Sequence, residues 1–127
     1  MAHHATTDNP YPRGIAGFVA GLTYDAIPAE VRQRIKLLIL DALGCGLYGA
    51  DLEWSRILQK RLGELDTTQA CVVWGTRQKL SAPHAALVNG SQVQGFELDD
   101  VHRTAVLHTG CLVLPALASV AEMRPGM

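Results

Sequence analysis

Apolar side chains recur every three to four residues along most of the chain, which is the spacing of one buried face of an α-helix. The clearest helix start lies at 27–30, where a proline stands at the first helical position and a glutamate in the first turn. Ser81 with Pro83, and later Gly110, mark two further starts. The pattern predicts four or five helices, over 13–22, 28–50, 52–65, 84–96 and 111–123.

The helix that starts near residue 29 carries the strongest apolar stripe, and polar side chains mostly take its other side. From 37 to 50 the only charged residue is Asp41, which predicts that this part is wholly buried. Gly44, Gly46 and Gly49 leave room for a second helix to pack very close. We therefore expect the stripe to lie in the core. Its members are Val31, Ile35, Leu38, Ile39, Ala42 and Leu43.

One segment departs from the helical pattern. Residues 70–74 include two adjacent valines and lie between a threonine-rich turn and a glycine-containing one, which predicts a strand or extended segment. No other part of the sequence predicts a strand. The expected fold class is mainly α, a helical bundle-like arrangement with one short extended segment near 70–74.

Composition narrows the possible functions. Apolar residues make up 48% of the 127 positions and charged residues 18%, which excludes a disordered chain. The net charge of −1 gives no field to hold a nucleic-acid backbone or an anionic membrane surface, so neither is an expected partner. No apolar run is long enough to span a bilayer, and the first residues do not form a secretion signal. We therefore expect a cytoplasmic protein. Three widely spaced cysteines favour neither a disulfide framework nor a thiolate metal site.

The loop at 95–110 concentrates the reactive side chains of the chain between two apolar helices. A polar loop held by core at both ends often lines a site. His108 precedes a predicted helix start, where the helix dipole favours a bound anion such as a substrate carboxylate. Asp99 and Asp100 are close enough in sequence to divide acid and base roles between them. The loop also contains Glu97, His102, Arg103 and Thr104.

Each of these side chains also has a structural interpretation. His108 could cap a helix or bond a neighbour in the loop, and the paired acids could cap a helix end or hold Arg103. A metal site built from His102, His108 and an aspartate is a third interpretation. The six-residue gap between the two histidines matches no dedicated ligand spacing, so we expect no metal.

Three further polar features are expected to have no catalytic role. His3 and His4 lie in a polar tail and are expected to be solvated. His84 follows Pro83 in a helical first turn and is expected to be structural. The Asn89-Gly90 pair is a turn signal in isolation, but the apolar helical pattern around it predicts a helix with a close packing contact at Gly90.

Short motifs run through most of the chain in a specific order. They are IPAEV at 27–31, LDALGC at 40–45, VWGT at 73–76, AALVNG at 85–90, LDD at 98–100, HTG at 108–110 and VLPA at 113–116. In order and spacing the set resembles the MmgE/PrpD family, which includes 2-methylcitrate dehydratase and cis-aconitate decarboxylase.

The resemblance implies a mainly helical domain formed from both ends of a longer chain, with a smaller α+β lid between them. This chain matches the first part of that domain, so we expect residues 1–12 to be a polar tail and 13–127 a truncated helical domain. The implied chemistry is loss of water, loss of carbon dioxide or isomerisation of a di- or tricarboxylic acid, without a metal or organic cofactor. The family draws its catalytic groups partly from this loop and partly from Lys, His and Tyr residues beyond Met127.

By position, His108 resembles the family's active-site histidine, and Asp99 and Asp100 resemble its paired acids. Glu97 stands where the family has an aspartate. Directly after the acid pair, the cis-aconitate decarboxylases resemble one another in having a threonine, whereas this chain has Val101. The loop from the acid pair to His108 is also one residue longer in this chain than in those enzymes. This departure counts against a decarboxylase. The residues expected to supply the polar contact with substrate instead are His102, Arg103 and Thr104.

The leading prediction is the N-terminal portion of a cofactor-independent lyase or isomerase, similar to 2-methylcitrate dehydratase and inactive by itself. Its expected partner is a small carboxylic acid, and its full-length form is expected to be a homo-oligomer, a dimer. The alternative is a non-catalytic helical interaction module, or a relic of such an enzyme, that uses its apolar faces for association.

Overall fold

The computed structural model of the protein describes residues 10–124 and 126. Helices dominate it, so the expected fold class, mainly α, is confirmed. Each predicted helix is present, with ends that differ from the prediction by at most three residues. In chain order the elements are α1 (Pro10–Gly21), a 3₁₀-helix (Tyr24–Ala26), α2 (Ala29–Gly49), α3 (Glu53–Leu65), β1 (Cys71–Val72), β2 (Lys79–Leu80), α4 (Ala82–Gln94) and α5 (Thr109–Met123).

The described residues divide into two compact units, and the boundary falls between Arg34 and Ile35, within α2. In the first unit no residue of α1 is buried. Arg32 donates a hydrogen bond to the carbonyl oxygen of Tyr24 at 3.0 Å, and its guanidinium lies 4.8 Å from the centre of the Tyr24 ring. Residues 1–9, which include His3 and His4, lie outside the described residues.

The core of the second unit is built around α4, which packs against α5 and against the strand pair. Small side chains allow the close approach of neighbouring helices. A Cβ on Gly49 would overlap the carbonyl group of Gln92, and one on Gly90 would lie 2.6 Å from the carbonyl oxygen of Cys111. The predicted close packing at Gly90 and along α2 is therefore confirmed, except at Gly44, around which the structure is open.

The expected burial of α2 is wrong for its large side chains. Val31, Ile35 and Ile39, members of the predicted core stripe, are between 38% and 42% exposed. Within 37–50, predicted to be wholly buried, large apolar side chains also face solvent: Leu37, Leu40, Leu47 and Tyr48. The reason is that the described neighbours of α2 bury only small residues of this helix. These are Ala42, Cys45, Gly46 and Gly49.

The extended segment predicted at 70–74 contains β1, which pairs antiparallel with β2 in the register Cys71↔Leu80 and Val72↔Lys79. The sequence did not predict β2, because two residues are too few to show an alternating pattern. The turn between the strands includes Gly75, whose φ of 74° favours glycine.

Among the described residues, no helix combines the length and the apolar character needed to cross a membrane.

Candidate functional site

The second half of the loop between α4 and α5 folds back on itself. His102 and Leu107 form an isolated antiparallel bridge, with N···O distances of 2.8 and 3.4 Å. Two non-glycine residues of the loop, Glu97 with φ 58° and Val106 with φ 50°, adopt the left-handed conformation. That conformation costs roughly 1–2 kcal/mol per residue relative to the right-handed one. Strain of this kind persists only where the surrounding structure enforces it, and it is common at functional sites.

Folding of the loop places His108 between two carboxylates. Its Nδ1 lies 3.0 Å from Oδ1 of Asp99, and its Nε2 lies 3.7 Å from Oε2 of Glu97. The Asp99 side chain is fully buried, that of His108 is 22% exposed, and that of Glu97 is 72% exposed. The three side chains thus form a line from the core to the solvent.

This geometry assigns different roles to the two ring nitrogens of His108. An ionised carboxylate only accepts hydrogen bonds, so Nδ1–H donates to Asp99 and the orientation of the ring is fixed. The outer nitrogen, Nε2, is left to exchange a proton with Glu97 or with a molecule bound at the surface. The second oxygen of Asp99, Oδ2, is buried and has no hydrogen-bond partner in the described part of the chain.

Asp100 has a different task from Asp99. Its Oδ1 accepts a hydrogen bond from the backbone N–H of Gly110 at 2.9 Å and so caps the first turn of α5. A Cβ on Gly110 would overlap this oxygen, which explains the glycine. Asp100 thus satisfies one of the backbone N–H groups at this helix N-terminus, where we expected a substrate carboxylate; that expectation stays a prediction.

The remaining loop residues predicted to bind substrate, His102, Arg103 and Thr104, are exposed. Nδ1 of His102 accepts a hydrogen bond from the backbone N–H of Ala105 at 3.1 Å, so the ring is held by its own turn. No contact found among the described residues joins these three side chains to His108. Residues 10–124 contain no group of three His, Cys, Asp or Glu side chains arranged to hold a metal ion.

Two buried thiols lie on the inner side of the site. Burial raises the pKa of the Cys111 thiol to about 11, and the negative charge of Asp99 adds to this effect. Burial also raises the pKa of Cys45, with further contributions from the charges of Asp41 and Asp99. Sγ of Cys111 lies 3.3 Å from the carbonyl oxygen of His108, to which the thiol donates. Neither thiol is set up as a nucleophile, because both are held in the protonated form.

A cavity of about 480 Å³ lies beside the loop. Phe96 and Leu98, the residues on either side of Glu97, both contribute to its wall. The rings of Tyr48 and Phe96 also line it and pack against each other, with their centres 4.7 Å apart. The other lining residues are Leu40, Asp41, Gly44 and Cys45. Asp41 is the one charged residue in this wall.

Two buried side-chain amides on α4 connect this helix to neighbouring segments, and the sequence analysis did not predict this role. Asn89 accepts a hydrogen bond from the backbone N–H of Trp74 at 2.9 Å and donates to the carbonyl oxygen of Val72 at 3.0 Å. Gln92 donates to the carbonyl oxygens of Gly46 and Trp74 at 3.1 and 3.0 Å. These bonds attach α4 to the extended segment and to α2. The Asn-Gly motif was a visible signal for Asn89, whereas nothing in the sequence distinguishes Gln92.

A second aspartate–histidine pair lies away from the loop, where α3 ends and α4 begins. Nδ1 of His84 lies 2.7 Å from Oδ2 of Asp66, which also accepts hydrogen bonds from the backbone N–H and the hydroxyl of Ser81. The hydrogen bonds from Ser81, with one from the backbone N–H of Thr68, lower the pKa of Asp66. The pair joins two helix ends, as expected for a structural His84.

Comparison with known proteins accounts for this architecture. Residues 13–126 match the MmgE/PrpD N-terminal domain. The chain is 38% identical to the cis-aconitate decarboxylase-like protein oryM of Aspergillus oryzae over 110 residues, which are 87% of this chain and 23% of that protein. It is 38% identical to the cis-aconitate decarboxylase of Aspergillus terreus over 109 residues (86% and 22%) and 32% identical to the human enzyme over 108 residues (84% and 22%).

The chain thus spans less than a quarter of the length of these relatives. The match nevertheless includes α1 from Arg13 onward, the other four helices and the strand pair described above. It includes the loop with Glu97, Asp99 and His108, and the buried amide of Asn89. The chain belongs to the MmgE/PrpD family and corresponds to its N-terminal domain.

Proposed function

We propose that this chain supplies part of the active site of a cofactor-independent lyase or isomerase that acts on di- or tricarboxylic acids. The observation that carries the proposal is the line of side chains Asp99, His108 and Glu97, with Nδ1 of the imidazole on a buried carboxylate and Nε2 directed outward. The chain's family and the names of its relatives support a carboxylic acid as substrate.

In the proposed reaction His108 transfers a proton through Nε2. Loss of water or of carbon dioxide next to a carboxylate passes through a carbanion-like species, which needs a proton donor or acceptor close to the reacting carbon. Asp99 orients the ring and stabilises the imidazolium whenever Nε2 takes up the proton. Glu97 is exposed and borders Nε2, so it is placed to exchange that proton with the substrate or with water.

The local charge favours a site that is completed by other residues. Glu97, Asp99 and Asp100 are close together, and Arg103 is the one arginine of the loop. An anionic substrate requires cationic groups to offset these carboxylates. The resemblance to the family implies that such groups come from Lys and His residues beyond Met127. His102, Arg103 and Thr104 would add polar contacts with the substrate. We therefore propose that the 127-residue chain is inactive by itself.

The two candidate substrates make different demands on the loop. The relatives' names favour cis-aconitate and loss of carbon dioxide. Val101 stands where the resemblance to the decarboxylases implies a threonine. This difference favours another acid as the substrate, such as 2-methylcitrate, and loss of water as the reaction. Both acids should be offered to the protein, with carbon dioxide release and formation of an unsaturated acid measured separately.

The test of the proposal is His108→Ala in the full protein that contains these residues, with His84→Ala as its matched control. Both substitutions remove a histidine whose Nδ1 is bonded to a buried aspartate. His108→Ala should lower kcat by at least about 100-fold, in line with the loss of general acid–base catalysis. His84→Ala should leave kcat per folded molecule within about threefold. Wild-type turnover by His108→Ala would exclude the proposed role.

We also propose a cytoplasmic homodimer for the full protein. A non-catalytic interaction module is a second candidate, because α5 exposes a row of large apolar side chains: Leu112, Val113, Leu117, Val120 and Met123. That alternative predicts association that is weakened by Leu117→Asp and unaffected by His108→Ala, as measured by analytical ultracentrifugation. The enzyme proposal predicts that His108→Ala lowers kcat as stated above without changing the subunit number.

A further inference from the structure

We infer that Cys111 is a positioning residue, whose thiol holds the His108 imidazole in line with the Asp99 carboxylate. The inference extends the proposed function of His108 and depends on that function for its catalytic meaning. Nothing in the loop sequence itself indicates such a role, because Cys111 lies one residue beyond the HTG motif and reads as a small buried hydrophobe.

The argument starts from how the main chain of His108 is held. His108 is the residue that precedes α5, its φ and ψ are −85° and 97°, and its side chain makes no capping bond to the helix. On one side the bridge between His102 and Leu107 fixes the chain. On the other side the thiol of Cys111 donates to the carbonyl oxygen of His108, at 3.3 Å. The position of the ring therefore depends on both attachments.

The second step concerns the space beside Asp99. Cys111 is 6% exposed and packs in one apolar cluster with Ala42, Cys45 and Val93. Oδ2 of Asp99 is buried without a hydrogen-bond partner among residues 10–124, so it is a ready acceptor for any water that enters. Removing the sulfur atom would open room next to this carboxylate. Water bound there would then compete with His108 for Asp99.

The chain offers a matched control in Cys71. Its thiol also donates to a backbone carbonyl oxygen, that of Ser119 in α5, at 3.4 Å. Cys71 is fully buried and belongs to the other apolar cluster, with Val73 and Leu80. The two cysteines therefore share size, burial and type of hydrogen bond, but only Cys111 is attached to His108.

The experiment compares Cys111→Ala, Cys111→Ser, Cys71→Ala and Cys71→Ser in the protein labelled with ¹⁵N-histidine. The ring ¹⁵N chemical shifts of His108 report which nitrogen carries the proton in the neutral imidazole. The wild type should show Nδ1–H as the major form. Cys111→Ala should reduce that form to a minority, Cys111→Ser should restore it, and both Cys71 variants should leave it unchanged.

An unchanged His108 spectrum in folded Cys111→Ala would overturn the inference, and so would an equal change in Cys71→Ala. If Cys111→Ala does not fold, Cys111→Ser alone decides. A serine that keeps the Nδ1–H form agrees with the inference, and one that loses it while folded contradicts it.

A second readout separates this inference from the proposed function. In the full protein, Cys111→Ala should lower kcat about 10- to 100-fold with KM within about twofold, as expected for a displaced catalytic group. If the protein turns over no carboxylic acid but the His108 spectrum changes as expected, the positioning role stands and the proposed function fails. If turnover depends on His108 but neither kcat nor the spectrum responds to Cys111→Ala, the proposed function stands and the positioning role fails.

Discussion

Replacing Asn89 by alanine should destabilise the protein by about 2–4 kcal/mol. The amide of Asn89 is 1% exposed and satisfies the backbone N–H of Trp74 and the carbonyl oxygen of Val72. The substitution leaves both backbone groups without a partner, and an unsatisfied buried donor or acceptor costs about 1–3 kcal/mol. Val72 and Trp74 are half-buried, so water can reach part of this region. The summed cost for the two backbone groups is therefore expected in the lower part of the range that this per-group value allows.

The assay is urea unfolding followed by far-ultraviolet circular dichroism and by the fluorescence of Trp54 and Trp74. Gln94→Ala is the control, because Gln94 lies on the same helix, is exposed, and makes no side-chain hydrogen bond among those identified in the described chain. Its effect should stay within about 0.5 kcal/mol. Equal unfolding free energies for Asn89→Ala and Gln94→Ala would refute the assignment of Asn89 as a bridge between α4 and the extended segment.

Two further predictions concern packing and pH. Gly44→Ala should stabilise the protein by about 0.5–1 kcal/mol, because alanine favours a helix interior and the space around Gly44 is open. Gly49→Ala should instead lower the urea midpoint strongly, since its Cβ would overlap the backbone of Gln92; a similar gain at both glycines would contradict the described approach of α2 and α4. Hydrogen bonds from Ser81 lower the pKa of Asp66, so its stabilising effect is complete above the unfolded pKa of about 3.9 and is lost as the pH falls toward the lowered folded pKa. Asp66→Asn should therefore be less stable than the wild type at pH 7 and show a flatter loss of stability below pH ~4, and parallel curves of urea midpoint against pH would disprove this.

The helices could be predicted because their signals are local. Pro28 and Glu30 mark the start of α2, and the apolar repeat carries each helix to within a few residues of its observed end. The burial of α2 could not be predicted in the same way. A repeat shows that one face is apolar, but which part of it is covered depends on neighbours that are distant in sequence. In the described structure those neighbours bury only Ala42, Cys45 and the glycines near them.

The candidate site was predictable in location but not in the role of each acid. Composition alone pointed to the loop at 95–110, and position relative to a helix start pointed to His108. The sequence could not distinguish Asp99 from Asp100, because adjacent residues differ only in the direction in which the folded backbone points them. The structure directs Asp99 to Nδ1 of His108 and Asp100 to the backbone N–H of Gly110.

The division of labour between the two aspartates explains how a polar loop is compatible with a tightly packed core. A buried carboxylate is costly unless its charge is compensated. Asp100 meets this requirement at the positive end of the α5 dipole, where it also fixes the first turn of the helix. That turn contains Cys111 and directly follows His108, so the cap and the imidazole share one rigid support. Asp99 instead holds Nδ1 of His108, and its second oxygen, buried without a hydrogen-bond partner in the described chain, makes the pair sensitive to any water admitted beside it. A loop that is polar in sequence therefore forms an oriented histidine only because the capping acid and the orienting acid are different residues.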